Sequence, residues 1–150
     1  MSAVSIGRTR QIISLVLALA GIVVAGYLTY VHYNLTALVC TVGNCEKVQT
    51  SSYAVVGGVP IALLGLLMYV AILLLGVARW LRPEQSLTIT AAMFAIVLAG
   101  AVYAAYLTYL ELAVINAICQ WCVASALLTA ALLINEGYST FQLVEAPVTN

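Results

Sequence analysis

The chain has 150 residues, of which 65% are hydrophobic and only 7% charged, and its formal net charge at pH 7 is zero. Average soluble domains carry roughly 25% charged residues, so this composition excludes a water-soluble fold, which would have no polar surface to show. A neutral chain also gives no indication of a nucleic-acid partner. We expect residues 1–150 to form one domain that sits in membrane lipid.

Four stretches are apolar over the length of about 20 residues that a membrane-spanning helix needs. In chain order they cover approximately residues 11–33, 60–78, 87–110 and 118–134. They predict an all-α fold, an integral membrane bundle of four helices. The polar tail from Asn135 to Asn150 follows the last span, and we assign it no function.

The first and third spans are similar in sequence. Ala20–Tyr30 aligns with Ala99–Tyr109, both segments end in Tyr-Leu-Thr-Tyr, and the same offset carries Cys40 onto Cys119. Such a repeat predicts that the bundle is built as two parallel helical hairpins, each with a cysteine at a matching distance after its first helix. The alternative is a chance similarity between two apolar segments.

Basic residues predict the orientation of the spans. Only Lys47 lies on one side, whereas the other four of the five basic residues lie on the side of both termini: Arg8, Arg10, Arg79 and Arg82. Because Lys and Arg are retained in the cytoplasm, we expect a multi-pass protein of the cell inner (plasma) membrane with both termini cytoplasmic. Segments 34–59 and 111–117 then face outward, which places all four cysteines at the outer surface.

The four cysteines form two pairs. Cys119 and Cys122 make a CxxC motif at the start of the fourth span, where two thiols one helical turn apart can close a disulfide. The partial positive charge of a helix N-terminus lowers a thiol pKa, and the thiolate is the form that attacks disulfides. Cys40 and Cys45 lie in the outer loop, which we expect to be flexible enough to carry them between two partners. Two such pairs on the oxidising side of a membrane predict redox chemistry.

Two alternatives to redox chemistry stay open at this point. Two structural disulfides could staple a non-catalytic membrane bundle. Four thiolates could instead bind zinc, although thiols outside the cytoplasm tend to oxidise, and we assign no metal ligand.

Over its four spans the chain resembles the vitamin K epoxide reductase family in its bacterial form. The order of the pairs is part of the resemblance, because the wide pair Cys40 and Cys45 comes first and the CxxC motif last. In the disulfide-bond B family of quinone-linked oxidases the order is reversed. The other matching residues are Glu46-Lys47-Val48, Ser51-Ser52-Tyr53, Gly58-Val59-Pro60, Gly65, Tyr69 and Cys119-Gln120-Trp121-Cys122.

The resemblance implies a membrane thiol oxidoreductase that supports disulfide-bond formation. Its bundle would surround a quinone of the menaquinone or ubiquinone type, with Cys119 and Cys122 as the active-site pair and Cys40 and Cys45 as the relay pair. Ser51 matches a residue that lies near the quinone. The electron donor would be a thioredoxin-like disulfide carrier on the outer side, which we expect to be a separate protein. The alternative function is the non-catalytic bundle with two structural disulfides.

Two positions depart from the animal members of that family. Ser125-Ala126 stands in the region where they carry a tyrosine after the CxxC motif, and Pro60-Ile61-Ala62 stands in the region of their second-helix asparagine. Both departures favour a simple quinone over an epoxide as the electron acceptor.

Three further residues are candidates for the site. Tyr27 and Tyr106 lie deep in the first and third spans and are predicted to line the quinone pocket, the alternative being core tyrosines with hydrogen-bond partners. Glu111 is the acid closest in sequence to Cys119, which makes it a candidate for the proton route. Its alternative is a solvated loop acid.

Overall fold

The computed structural model describes residues 6–145. Within that range, four helices are long and apolar enough to cross a membrane. They are α1 (Arg8–Tyr33), α3 (Ile61–Leu81), α4 (Ser86–Leu110) and α5 (Gln120–Glu145), with a short α2 (Cys45–Gln49) in the segment between α1 and α3. The predicted all-α fold of four spanning helices is confirmed.

The four long helices form a closed ring, in which α1 and α4 each pack against both α3 and α5. Two glycines at equivalent positions of the repeat allow the closest approaches. A methyl group at Gly21 would meet the ring of Tyr69, and one at Gly100 would meet the sulfur of Met68, both on α3. The core between the helices contains Ala18, Ala25, Tyr69, Ile72, Met93, Val97 and Leu132. Small residues at these crossings are what lets membrane helices pack without a hydrophobic driving force.

The segment between α1 and α3, residues 34–60, has more structure than the flexible loop expected from the sequence. After α2, two short strands, β1 (Val55–Val56) and β2 (Val59–Pro60), pair as an antiparallel hairpin. Gly57 and Gly58 form its turn with φ angles of 58° and 84°, as a two-residue turn with both central residues at positive φ requires. The side chain of Asn44 caps α2 by accepting a 3.1 Å hydrogen bond from the backbone N–H of Lys47.

The fourth spanning helix is longer than predicted, because α5 continues to Glu145 instead of ending near residue 134. Asn135 and Glu136, which make the tail look polar, are buried inside the bundle. Glu136 forms a 2.7 Å ion pair with Arg79 of α3, and both side chains are fully buried. The prediction that the last span ends near residue 134 and that a polar tail follows is therefore wrong as far as Glu145, since α5 continues and partners on other helices satisfy Asn135 and Glu136.

By its position in the sequence, Arg79 is expected in the loop between the second and third spans, where its charge would help to set the orientation. In the structure it lies inside the bundle. Its guanidinium donates hydrogen bonds to Thr90 of α4 (3.2 Å) and Ser14 of α1 (3.1 Å), in addition to its ion pair with Glu136. The cluster thus joins all four long helices at the end opposite the cysteines. Because Glu136 compensates the charge of Arg79, this residue adds no net positive charge to that side.

The contact between Gly21 and Tyr69 gives a test of the packing. We expect Gly21→Ala to lower the free energy of unfolding by about 1–3 kcal/mol, the usual cost of inserting a methyl group into a filled core. Gly26→Ala is the matched control on the same helix, because none of the described residues lies within 4 Å of a methyl group there. Thermal unfolding of the two variants in detergent measures the difference. Equal melting temperatures would contradict this packing.

Candidate redox site

A short backbone bridge brings the two cysteine pairs together. Gly43 pairs with Cys119 in an isolated antiparallel bridge, and the N–H of Asn44 donates a 2.9 Å hydrogen bond to the carbonyl of Ile118. Gly43 has a φ of 88°, and a side chain there would collide with that same carbonyl, so the bridge requires glycine. As a result, Cys45 lies in one buried cluster with Cys119, Leu28 and Val48.

The two pairs differ in redox state and in exposure. Cys40 and Cys45 form a disulfide, whereas Cys119 and Cys122 are thiols. Cys45 and Cys119 are both fully buried, while Cys40 is only half-buried and follows the exposed Val39. The disulfide therefore presents one sulfur toward water and the other toward the CxxC motif.

This arrangement bears on both alternatives to redox chemistry. A closed Cys40–Cys45 disulfide leaves two thiols, which is fewer than the four thiolates that an all-cysteine zinc site needs. The stapled bundle needs a second disulfide between Cys119 and Cys122, and these two residues are thiols here.

Cys119 lies immediately before α5, and its surroundings favour the thiolate. A hydrogen bond from the Cys122 thiol lowers the pKa of Cys119 from 9.0 to about 7, with further help from the backbone N–H groups of Cys122 and Trp121. Burial and the nearby carboxylate of Glu111 raise that pKa, but they are outweighed. At neutral pH a large fraction of Cys119 is thus in the form that attacks disulfides.

Glu111 lies at the start of a π-helical turn, Glu111–Ile115, which follows α4 and ends at Asn116 in the left-handed conformation (φ 51°). This turn directs the carboxylate inward, where its Oε2 accepts a 3.0 Å hydrogen bond from the backbone N–H of Cys119. Only 6% of the residue is exposed. Glu111 is therefore not a solvated loop acid, and it lies beside the CxxC motif.

A cavity of about 310 Å³ lies within the bundle and is lined mainly by apolar side chains of all four long helices. Its few polar groups include the carboxylate of Glu111 and the thiol of Cys122. Leu64 of α3 and Tyr103 of α4 also line the cavity, and both residues are exposed. Small-molecule sites are typically apolar cavities of roughly 300–1,000 Å³ with a few convergent polar groups. The cavity has this character, and its apolar walls and few polar groups suit the planar ring of a quinone.

Of the three residues predicted to bind the quinone, the structure places one at this cavity. Ser51 lines it, and its hydroxyl donates a 2.7 Å hydrogen bond to the carbonyl of Val48. Tyr106 is half-exposed on the outside of α4, and Tyr27 is hydrogen-bonded to the segment around Cys40; neither lines the cavity. Three other tyrosines do: Tyr53, Tyr69 and Tyr103.

The choice between these tyrosines could not be made from the sequence. Helix α4 is apolar all round, so its pattern does not show which face turns inward. Tyr69 is buried, and its hydroxyl lies 3.1 Å from that of Ser125 and 2.8 Å from that of Thr129 on α5. The only sequence signal for Tyr69 was its place among the residues that carry the family resemblance.

In the two regions that depart from the animal pattern, every residue except Pro60 also lines the cavity. They are Ile61 and Ala62 at the start of α3, and Ser125 and Ala126 on α5. Small or apolar side chains thus stand where the animal members carry asparagine and tyrosine.

The lowered pKa of Cys119 predicts a specific pH dependence. In a Cys40→Ser, Cys45→Ser variant, alkylation of Cys119 by iodoacetamide should rise with pH to a midpoint of about 7. Adding Cys122→Ala removes the hydrogen-bond donor and should move the midpoint to higher pH, whereas Cys122→Ser keeps a hydroxyl donor and should move it less. Mass spectrometry of quenched samples measures the rates. Burial slows alkylation at every pH, so only the midpoint is compared, and an unchanged midpoint in Cys122→Ala would contradict the assignment.

Comparison with known families agrees with this geometry. Residues 12–136 match the family model described as the Vitamin K epoxide reductase family. The matched range includes both cysteine pairs, every residue that lines the cavity and the ion pair between Arg79 and Glu136. The chain belongs to the vitamin K epoxide reductase family.

Proposed function

We propose that the protein is a membrane thiol oxidoreductase that carries electrons from a thioredoxin-like protein, through Cys40–Cys45 and then Cys119–Cys122, to a quinone. Family membership supports thiol oxidoreductase chemistry in general. The observation that carries the specific path is the placement of the sulfurs. Cys45 shares a buried cluster with Cys119, and Cys122 lines the apolar cavity.

Thiol–disulfide exchange accounts for the first half of the path. A thiolate of the reduced carrier attacks the sulfur of Cys40, which breaks the Cys40–Cys45 bond and releases Cys45 as a thiolate. The second thiolate of the carrier then attacks the mixed disulfide, so that the carrier leaves oxidised and the relay pair stays reduced. Half-burial of Cys40 allows this attack, while the buried Cys45 would resist it.

The same exchange moves the electrons inward. Cys45 attacks Cys119 in an oxidised CxxC motif, which releases Cys122 as a thiolate, and Cys40 then attacks Cys45 to close the relay disulfide and free Cys119. The products are a Cys40–Cys45 disulfide and two thiols at Cys119 and Cys122, the state seen in the structure.

The second half of the path takes place at the cavity. A bound quinone of the menaquinone or ubiquinone type would supply an acceptor for the two electrons and two protons that the Cys119–Cys122 dithiol gives up on closing. Cys122 is the thiol that lines the cavity, so it is the member of the pair that faces the acceptor. Glu111 lies beside both thiols and also lines the cavity, which suits it to take a thiol proton and pass it on. Ser51 and Tyr69 supply further polar groups to the lining.

The cavity lining favours a simple quinone over an epoxide. The regions of the animal tyrosine and asparagine read Ser125-Ala126 and Pro60-Ile61-Ala62, and all of these residues except Pro60 line the cavity. Of these side chains only the hydroxyl of Ser125 can donate a hydrogen bond to an oxygen of the acceptor, and it is already close to Tyr69. Opening an epoxide requires a proton donor at the ring oxygen, and these two regions offer a single hydroxyl where the animal members carry an asparagine and a tyrosine.

The proposed location of the protein is the cell inner membrane, with both termini in the cytoplasm and the cysteines on the outer face. Arg8, Arg10 and Arg82 support this orientation by the positive-inside rule, against Lys47 on the other face. Arg79 does not contribute to this difference in charge between the two faces, because Glu136 compensates its charge.

Quinone reduction by the purified protein tests the proposed function. Given a reduced thioredoxin-like protein with a CxxC motif and a soluble short-chain quinone, the wild-type protein should oxidise the carrier and reduce the quinone in equal amounts. Quinone absorbance and free thiols are followed together. Absence of quinone-dependent turnover would return the protein to the alternative of a non-catalytic bundle.

Two variants divide this reaction into its parts. Cys122→Ser should abolish quinone reduction while leaving one round of carrier oxidation at Cys40–Cys45. Glu111→Gln keeps an oxygen for the N–H of Cys119 but cannot take a proton at neutral pH, so it should slow turnover by roughly 100-fold or more, the usual contribution of a general base. Turnover at the wild-type rate in Glu111→Gln would remove Glu111 from the proton route.

Labelling of intact cells tests the orientation. After reduction, a membrane-impermeant maleimide should label Cys40 without permeabilisation. A single cysteine introduced at Glu84, in the turn before α4, provides the opposite-face control and should be labelled only after permeabilisation. The reverse pattern would overturn the proposed topology.

A further inference from the structure

Three side chains hold the backbone on either side of Cys40. The Oε1 atom of Gln120 accepts hydrogen bonds from the N–H of Thr41 (3.2 Å), the hydroxyl of Thr41 (2.9 Å) and the N–H of Val42 (2.9 Å). The indole N–H of Trp121 donates a 2.8 Å hydrogen bond to the carbonyl of Val39. The hydroxyl of Tyr27 accepts a 2.8 Å hydrogen bond from the N–H of Val39. Cys40 is thus bracketed by anchored residues.

These three side chains, which we call the relay clamp (Tyr27, Gln120 and Trp121), belong to the redox site by position. Gln120 and Trp121 are the two residues between the cysteines of the CxxC motif. The rings of Trp121 and Tyr27 pack with their centroids 4.7 Å apart, so the contacts support one another. The turn that carries the active-site thiols therefore also holds the relay cysteine.

The clamp acts on a stretch of chain that has little other support. Residues 38–42 are in neither helix nor strand, and the side chains of Val39 and Val42 are exposed. The bridge from Gly43 and Asn44 to the CxxC turn fixes the Cys45 side of the loop. On the Cys40 side, the disulfide and the clamp fix the loop.

The clamp matters most when the disulfide is open. Each catalytic cycle breaks the Cys40–Cys45 bond, and that cross-link then no longer limits the motion of Cys40. Re-formation requires Cys40 to reach Cys45 before an external thiol does, and holding two groups close in the right geometry is a large source of rate. Hydrogen bonds from the clamp remain when the sulfurs separate, because none of them involves a sulfur atom.

We propose that Tyr27, Gln120 and Trp121 are positioning residues, which hold Cys40 against the CxxC turn so that the relay disulfide closes again after each exchange. This inference rests on the proposed function, since it assigns a role within the relay. It also gives Tyr27 a role in place of the quinone contact expected from the sequence.

The test separates the relay from the chemistry at the cavity. Gln120→Leu removes the acceptor atom at similar side-chain size, and Gln120→Glu keeps it. Quinone reduction is measured with a reduced thioredoxin-like protein as donor. Dithiothreitol is used as donor in a Cys40→Ser, Cys45→Ser background, where electrons must enter at the CxxC motif directly. Gln85→Leu, at an exposed glutamine far from the cysteines, is the matched control.

We expect Gln120→Leu to lower the carrier-driven rate about tenfold, the effect of losing hydrogen bonds worth about 1.4 kcal/mol. The rate of the dithiothreitol route should fall much less than the carrier-driven rate, and Gln120→Glu should restore most of the carrier-driven rate. A wild-type carrier-driven rate in Gln120→Leu would overturn the proposal. So would an equal loss in both routes, which would indicate damage to the active-site turn.

A second measurement does not depend on the quinone. After reduction of the protein and removal of the reductant, oxidised glutathione is added together with a maleimide, and the glutathione disulfide accepts the two electrons released when Cys40–Cys45 closes. The clamp should favour this closure over alkylation of Cys40. Gln120→Leu and Tyr27→Phe should each raise the alkylated fraction of Cys40 several-fold at an unchanged melting temperature. Tyr30→Phe, one turn further along α1 at an exposed tyrosine, should not.

These outcomes distinguish the two proposals. If the wild-type protein reduces no quinone, the proposed function fails, while the alkylation of Cys40 still decides whether the clamp holds this residue. If turnover is normal and neither the rate nor the alkylated fraction changes in Gln120→Leu, the clamp is overturned and the proposed function stands.

Discussion

The contact between the cysteine segment and the start of α5 sets the geometry on which the chemistry depends. One backbone hydrogen bond from Asn44 to Ile118, together with the bridge at Gly43, fixes where the relay pair lies relative to the CxxC motif. Disulfide exchange needs sulfurs within covalent reach, since the Cα atoms of a disulfide lie within about 7 Å. Without this contact, the segment that carries Cys40 and Cys45 would move freely relative to the CxxC motif. Packing of the four long helices would not restrict that motion. The requirement for glycine at position 43 follows from the same closeness.

The two ends of the bundle differ in their polar groups: one end holds a buried ion pair and the other holds the cysteines. At the end opposite the cysteines, Arg79 and Glu136 are fully buried and tied to Ser14 and Thr90. Breaking one partner of such a pair costs about 3–5 kcal/mol, because it leaves a buried charge alone. Among the described residues, the cysteine end has no comparable ion pair, and in the proposed function its thiols exchange partners. A firmly joined far end helps the bundle to keep its fold despite the cavity near the cysteines.

The sequence was sufficient for the fold class, the number of spans and the presence of two cysteine pairs, because these depend on strong patterns of apolar length and residue type. It failed at the end of α5, where Asn135 and Glu136 look like a solvated tail until their partners on other helices are known. It also misplaced the charge of Arg79, which is a loop arginine by position and a core arginine by contact. The choice among tyrosines failed for a related reason: an apolar helix does not reveal which side meets its neighbours. Glu111 could be selected only by its closeness to Cys119 in the chain, since the π-helical turn that directs it inward has no clear signature in the sequence.

Two exposed residues of spanning helices, Leu64 of α3 and Tyr103 of α4, belong to the cavity lining, and a route for a ligand from that side has a consequence for enzymology. A ligand that arrives by this route is drawn from the hydrocarbon phase, so its effective concentration is its mole fraction in the bilayer and not its molarity in water. Transfer of each additional buried CH₂ group from water into lipid is worth about 0.8 kcal/mol, so a longer isoprenoid tail enriches the ligand in the membrane without any new contact to the protein. An apparent KM measured in detergent therefore varies with the amount of detergent, because micelles dilute the acceptor while leaving the water-soluble electron donor at its nominal concentration.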